Sequence, residues 1–219
     1  LGAAFIEPVL ATLATKDAAP RFGARAREIV FEDGRAAALR FGDAEVALGP
    51  DDAVVLAAPP WIAQELVPGL VGPDDYRSIL NIHFKIAPPP GQPLLLGMIG
   101  SVSEWLFAFE DRLSVTISGA DRLMTTPREE LAAQIWTEVA TAAGLPPALA
   151  QALPPWQIVN EKRATFAATP AQEARRPGAI TAWSNLFLAG DSTATGLPAT
   201  IEGSIRSGYR AAELVARGA

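Results

Sequence analysis

Cysteine is absent from the 219 residues, so the chain can form no disulfide, thiolate metal site or cysteine nucleophile. Histidine occurs once, at His83, which excludes a histidine-rich metal centre; no metal site is expected. Basic charge is sparse and scattered. Eighteen Lys and Arg stand against 24 Asp and Glu, a net charge of −6, and no basic run exceeds a pair such as Arg175-Arg176. That balance excludes nucleic acid as a partner. No apolar run approaches the roughly 20 residues of a membrane span. The first residues lack the basic start of a signal peptide and carry Glu7. A soluble, cytoplasmic protein is expected, with peripheral membrane contact left open. The fingerprint GxGxxG, which binds a dinucleotide pyrophosphate, is missing as well: no third glycine opening a helix follows Gly97 and Gly100.

What is present is apolar for a soluble domain, with 49% hydrophobic residues. A large core and an apolar cavity both fit that composition. A helix is expected over 4–15, with Phe5, Val9, Leu10 and Leu13 on one face. Three runs at 24–31, 35–41 and 45–48 are separated by Asp33-Gly34 and Gly42-Asp43, the residue pairs that favour two-residue hairpin turns, so a β-meander is expected. A buried strand at 52–57 and a short helix at 61–66 follow. Alternation over 78–86, then runs at 94–99, 104–110 and 113–118, predict an antiparallel sheet. Pro127 opens a helix that Gly144 stops near Ala143. Residues 156–166 read as a strand, and 167–178 as a loop.

The most informative segment is LFLAGDSTATGLPATIEGSIRSGYRAA at 186–212. A short apolar run suits a buried parallel strand. It stops at Gly190-Asp191, crosses a loop of small residues, and enters a helix near Pro198 or Thr200 that runs to about Ala216. Strand, glycine turn and helix start together direct backbone N–H groups and the positive helix end toward one place, an arrangement suited to phosphate or another electron-rich edge. The wording resembles the C-terminal flavin-contacting motif of the amine oxidase and phytoene desaturase superfamily. Further pieces resemble one subgroup, the squalene-associated FAD-dependent desaturases, whose activity is hydroxysqualene dehydroxylation in hopanoid synthesis. They are FIEP at 5–8, DAVVLAAPP at 52–60, ILNIHF at 79–84, WLF at 105–107, VTISGAD at 115–121, and EKRATF at 161–166 with Thr169-Pro170. Each is weak alone; their order along the chain carries the resemblance.

The resemblance implies an α/β fold mixed with α+β character: the C-terminal part of an FAD/NAD(P)-binding Rossmann-like domain with an inserted mixed-sheet substrate domain. Residues 1–60 and 180–219 would belong to the FAD-binding domain and 76–166 to the substrate domain. The absent GxGxxG unit makes this chain the expected C-terminal half of a longer protein. The cofactor implied is FAD, with NADPH as reductant, and the substrate is a long apolar isoprenoid. A carotenoid- or phytoene-type desaturase, a flavin amine oxidase, and a non-catalytic lipid-binding or interaction module are the alternatives.

The candidate cofactor-binding residues are Gly190, Asp191, Gly196, Thr200, Ile201, Glu202, Ala26 and Ala57. A carboxylate at Asp191 suits a ribityl hydroxyl, although Asp is also a routine turn residue. Gly190 and Gly196 fit places needing close backbone approach or positive φ. Thr200, Ile201 and Glu202 stand where, by resemblance, a backbone N–H faces the flavin N1–C2=O edge; for Glu202, simple favour toward the helix dipole weighs equally. Ala26 falls in the first meander strand, where relatives offer backbone groups to adenine, and Ala57 ends a strand flanking the cofactor. Ser207-Gly208 are read as allowing close helix packing. His83 is read as solvent-facing or structurally bonded. Trp105, Phe107, Phe109 and Trp156 suit an apolar pocket, but strand aromatics are more often core. No catalytic residue is identified.

Overall fold

The computed structural model describes residues 2–218, and its first feature is a helix none of whose residues is buried. A π-helical turn at Gly2–Ile6 leads into α1 (Glu7–Ala14), none of whose residues is buried. The periodicity is helical as expected, yet Phe5 and Val9 are 46% and 55% exposed. The apolar face is real, but none of its residues joins a core cluster among the described residues.

The meander follows the turn chemistry. β1 (Glu28–Glu32), β2 (Arg35–Phe41) and β3 (Ala44–Ala47) pair antiparallel in sequence order. Asp33 and Gly34 both have positive φ, +47° and +77°, as a type I′ turn requires; Gly42 supplies φ +64° at the first central position of the second turn. Then come β4 (Val54–Leu56) and α2 (Pro60–Leu66), with proline at the start of the helix, where its missing N–H is harmless.

The remaining elements are β5 (Tyr76–Phe84), β6 (Leu95–Gly97), β7 (Trp105–Ala108), β8 (Leu113–Ser118), a 3-10 turn at Ala120–Leu123, α3 (Arg128–Ala142), α4 (Pro147–Ala150), β9 (Trp156–Phe166), α5 (Pro170–Glu173), β10 (Leu186–Leu188) and α6 (Ile201–Arg217). The stretch read as a loop over 167–178 therefore contains one helical turn. Thr169 Oγ1 caps it by accepting the Gln172 N–H at 3.3 Å, and the Gln172 side chain pairs with Asp74 through two hydrogen bonds of 2.9 and 2.8 Å. These side-chain contacts outweigh a composition that suggests no element.

The chain divides into two compact units. The first comprises Leu1–Leu70, Pro177–Thr195 and Ile201–Ala219; the second comprises Val71–Arg176 and Gly196–Thr200. In the first, β10 and β4 form a two-stranded parallel sheet with Leu186 opposite Val54 and Leu188 opposite Leu56. β10 is buried on both sides, which is why it reads as an unbroken apolar run. Leu186 joins Ile29, Ala36, Leu66 and Val67 in one cluster; Phe187 packs with Ala211 and Leu214 of α6 in another. Phe31 stacks on Trp183 at 4.0 Å between ring centroids.

In the second unit β6-β7-β8-β5-β9 form an antiparallel sheet. Alternation along β5 buries Leu80, Ile82 and Phe84 completely on one face. α3 covers that face with Leu131, Ile135, Trp136 and Val139. Each such side chain contributes about 1.5–3 kcal/mol, so this interface dominates the unit's stability. α3 stops at Gly144, φ +61°, where the Leu145 N–H reaches back to the Ala140 carbonyl at 2.9 Å.

Candidate functional site

Parallel pairing brings the C-terminal ends of β4 and β10 side by side, because the ladder ends with Leu188 opposite Leu56. The Ala189 N–H donates to the Leu56 carbonyl at 3.0 Å, extending the pair by one bond. Ala57 is exposed after β4, and Gly190 and half-buried Asp191 follow β10. The carboxyl ends of parallel strands are where α/β sheets bind ligands. The structure thus groups Ala57, Gly190 and Asp191 at one edge.

Gly190 has φ +124°, a conformation closed to L side chains, and no atom lies within 4 Å of where a Cβ would stand. A ligand can approach the backbone there. Its N–H, however, donates to Ser207 Oγ of α6 at 2.7 Å, and Ser207 Oγ donates in turn to the Ser204 carbonyl at 2.6 Å. The Gly190 amide is therefore satisfied within the protein, and Ser207, 2% exposed, fastens the turn to the helix. The Gly190 carbonyl accepts from Thr193 twice, from the N–H at 3.2 Å and from Oγ1 at 2.8 Å. Ser207 was legible only as a small packing residue; the sole hint was a poor helix former among the buried positions of a helix.

Gly196, φ +75°, takes the positive φ expected of it. Gly196 and Thr200 lie in the stretch Gly196–Thr200, which clusters with the second unit, and Thr200 Oγ1 donates to the Pro198 carbonyl at 3.1 Å. Ile201 begins α6 and is 52% exposed. Glu202 accepts from Arg206 Nε at 2.7 Å across one helical turn, the ion pair of an ordinary helix surface. Ala26 is not in a strand, contrary to the sequence reading. The register sets Glu28 opposite Arg40, which leaves position 26 facing Gly42, where β2 has already turned.

A pocket of about 440 Å³ opens beside the turn, lined by Ile180, Thr193 and Thr195 together with Arg206, Ser207 and Arg210 of α6. Among the described residues no group of three or more His, Cys, Asp or Glu side chains could hold a metal ion, and no helix is long and apolar enough to cross a membrane. An open glycine backbone and an adjoining carboxylate are what this edge presents.

His83 lies on β5 of the second unit, half-buried, with Nδ1 2.8 Å from Ser114 Oγ on β8. Burial lowers its pKa below the ordinary 6.5, and the charge of Arg112 lowers it further. The unfolded chain therefore binds a proton near pH 6.5 that the folded chain refuses until lower pH. Stability rises with pH across that window and is lost as pH falls through it. Urea unfolding midpoints at about pH 7.5 and about pH 5.5 are expected to differ more for the natural protein than for His83→Gln; equal shifts would show that His83 contributes nothing to the linkage.

Residues 5–216 match the family described as flavin containing amine oxidoreductase. The chain is 59% identical over 216 residues to a hydroxysqualene dehydroxylase of Rhodopseudomonas palustris, covering 98% of this chain and 51% of the relative. It is 51% identical over 214 residues to a hydroxysqualene dehydroxylase of Sinorhizobium fredii, covering 98% of this chain and 50% of the relative. The chain spans about half the length of the curated relatives it matches. Among solved structures, an oxidoreductase from Methanosarcina mazei superposes with a TM-score of 0.62 at 14% identity, over 93% of this chain and 52% of that one, a likeness of fold.

Proposed function

Because the chain belongs to the flavin containing amine oxidoreductase family, we propose that it supplies about half of an FAD-dependent oxidoreductase converting hydroxysqualene to squalene. The observation that carries this reading is the similarity to hydroxysqualene dehydroxylases along nearly the whole chain. In that reaction the carbon–oxygen bond breaks, the hydroxyl leaves as water after taking a proton, and carbon receives a hydride in its place. FAD held by the residues below would supply that hydride chemistry, with NADPH as the reductant.

This chain's own residues bind and orient. Gly190 permits close backbone approach, and Asp191 accepts a ribityl hydroxyl. Gly196, Thr200, Ile201 and Glu202 contribute the loop and the first turn of α6, whose positive end favours negative charge. Ala57 flanks the group. Residues 76–166, with the five-stranded sheet, serve as a substrate domain inserted between two parts of the FAD-binding domain. A long apolar substrate partitions into lipid, so peripheral membrane contact accompanies the reading.

The test uses the intact protein loaded with FAD and given a reductant under anaerobic conditions. Mass spectrometry is expected to show squalene formed from hydroxysqualene and no aldehyde formed from simple amines. Persistence of hydroxysqualene together with oxidation of an amine or a polyene would overturn the substrate and keep the flavin assignment.

A further inference from the structure

One end of the five-stranded sheet is bordered by chain with little charge and much exposed apolar surface. The last row at that end crosses the whole sheet. The Ala108 N–H donates to the Leu94 carbonyl at 3.0 Å, Ala108 stands opposite Leu113, Leu113 opposite Phe84, and Phe84 opposite Trp156. Beyond the row lie three connections: 85–93 after β5, the hairpin 109–112 between β7 and β8, and 143–155 leading from α3 into β9. The first and third are tied together where the Lys85 N–H donates to the Pro155 carbonyl at 2.8 Å. Residues 86–103 contain no Asp, Glu, Lys or Arg, and neither do residues 143–160, in a chain of which 19% is charged.

The apolar side chains on these connections are uncovered: Leu94 is 80% exposed, Leu149 46%, Phe109 43% and Leu153 41%. Exposed apolar side chains gathered on adjoining connections mark a surface that meets another molecule or a membrane. Hydrogen-bond supply and charge select between them. Pro88-Pro89-Pro90 leads toward Leu94, Pro154-Pro155 follows Leu153, and proline has no backbone N–H. A protein partner draws on such donors, at about one hydrogen bond per 100–200 Å² of interface. Hydrocarbon uses none, and each unpaired donor carried into it is costly. The charges on the three connections are Lys85, Glu110, Asp111 and Arg112, which cancel. Arg112 pairs with Asp111 at 3.0 Å and lies 4.2 Å from the centre of the Phe109 ring. A donor-poor, apolar surface without net charge complements the interface of a lipid bilayer, and it needs no anionic headgroup.

We propose that this end of the sheet docks on a lipid bilayer, with Leu94 and Leu153 entering the hydrocarbon boundary and Phe109 and Arg112 resting at headgroup depth. Docking deepens the proposed function, on which it rests for its purpose, because a substrate that partitions into lipid is met there. The surface itself stands on the three connections alone. Ile99 supplies a contrast within the same unit. It is 101% exposed, but it lies on the β6–β7 connection at the opposite end of the sheet, past the Met98 N–H bond to the Glu104 carbonyl at 2.8 Å. Contact through one end therefore makes Leu94 and Leu153 matter and leaves Ile99 without effect.

The experiment mixes the intact flavin-loaded protein with sucrose-loaded phosphatidylcholine vesicles, with and without phosphatidylglycerol, and reads the fraction that pellets. Binding to phosphatidylcholine alone is expected, and raising the salt to about 0.5 M should leave it nearly unchanged. Leu94→Ser and Leu153→Ser each weaken it about tenfold and together about a hundredfold, whereas Ile99→Ser leaves it as it was. Absence of binding overturns the proposal, as do equal effects of Leu94→Ser and Ile99→Ser. Binding that requires phosphatidylglycerol and disappears in salt makes the contact electrostatic and overturns it too. A protein that ignores vesicles but forms a dimer dependent on Leu94 and Leu153 in sedimentation velocity replaces the bilayer with a second copy. If one leucine variant fails to fold, Phe109→Ser takes its place in the comparison. Turnover of detergent-dispersed hydroxysqualene is scored separately. A protein that docks through Leu94 and Leu153 but dehydroxylates nothing overturns the proposed function and leaves the docking surface standing.

Discussion

Asp191→Ala is expected to lower flavin affinity of the intact protein about ten- to a hundredfold. The expectation starts from placement. Asp191 is the first residue beyond Gly190, half-buried, at the carboxyl end of two paired parallel strands. Its backbone position is secured independently, by Ser207 on one side of Gly190 and by Thr193 on the other. Removing the carboxylate takes away an acceptor for a ligand hydroxyl while those bonds to Gly190 remain. A hydrogen bond to a charged acceptor is worth about 1.5–3 kcal/mol, which sets the fold-change. Asp191→Asn keeps one acceptor oxygen and should fall between the two. Glu202→Gln is the contrasting variant, since Glu202 is an exposed partner of Arg206, and surface pairs contribute about 0–1 kcal/mol. The ratio of flavin to protein absorbance after gel filtration reads all three. Full occupancy in Asp191→Ala would remove that residue from the cofactor site.

Much of this frame could be read from local sequence. The bounds of β2, β8 and β9 follow from turn pairs and alternation, and α3 from Pro127 and Gly144, because each signal acts within a few residues of its effect. β10 was legible for a different reason: burial on both faces leaves no polar position to interrupt the run. The misses share a cause. Ala26 lies outside β1 because its partner position is a turn in another strand, and α5 exists because Gln172 meets Asp74 from far along the chain. α1 has the right period but an uncovered face, since pattern reports what a helix wants buried and not whether anything buries it. At the candidate site Gly190, Asp191 and the start of α6 were visible as a motif. Ser207 was not, because its role appears only once α6 is folded back against the turn.

Asn185 shows the same limit most sharply, and replacing it is expected to have the largest effect on stability. It precedes β10, is 8% exposed, and nothing in its neighbourhood marks it as special. Its Oδ1 accepts the Ala36 N–H at 2.7 Å, and its Nδ2 donates to the carbonyls of Ala36 at 2.9 Å and Asp52 at 3.0 Å. Its own carbonyl accepts the Val54 N–H at 2.8 Å. One amide side chain thus joins the meander, the entrance to β4 and the entrance to β10. Asn185→Leu conserves approximate volume but leaves the Ala36 N–H and C=O buried without partners, Ala36 being fully buried. At about 1–3 kcal/mol for each such group, the loss should reach about 3–5 kcal/mol, a large share of a typical domain's stability. Asn185→Asp keeps the acceptor, loses both donors and buries a charge, so it should be no better tolerated. Urea denaturation of the intact protein measures the change. Flavin occupancy should fall in parallel, because β4 and β10 carry Ala57, Gly190 and Asp191. A midpoint within experimental error of the natural protein would mean that the three backbone groups find other partners and that the β4–β10 edge does not depend on Asn185.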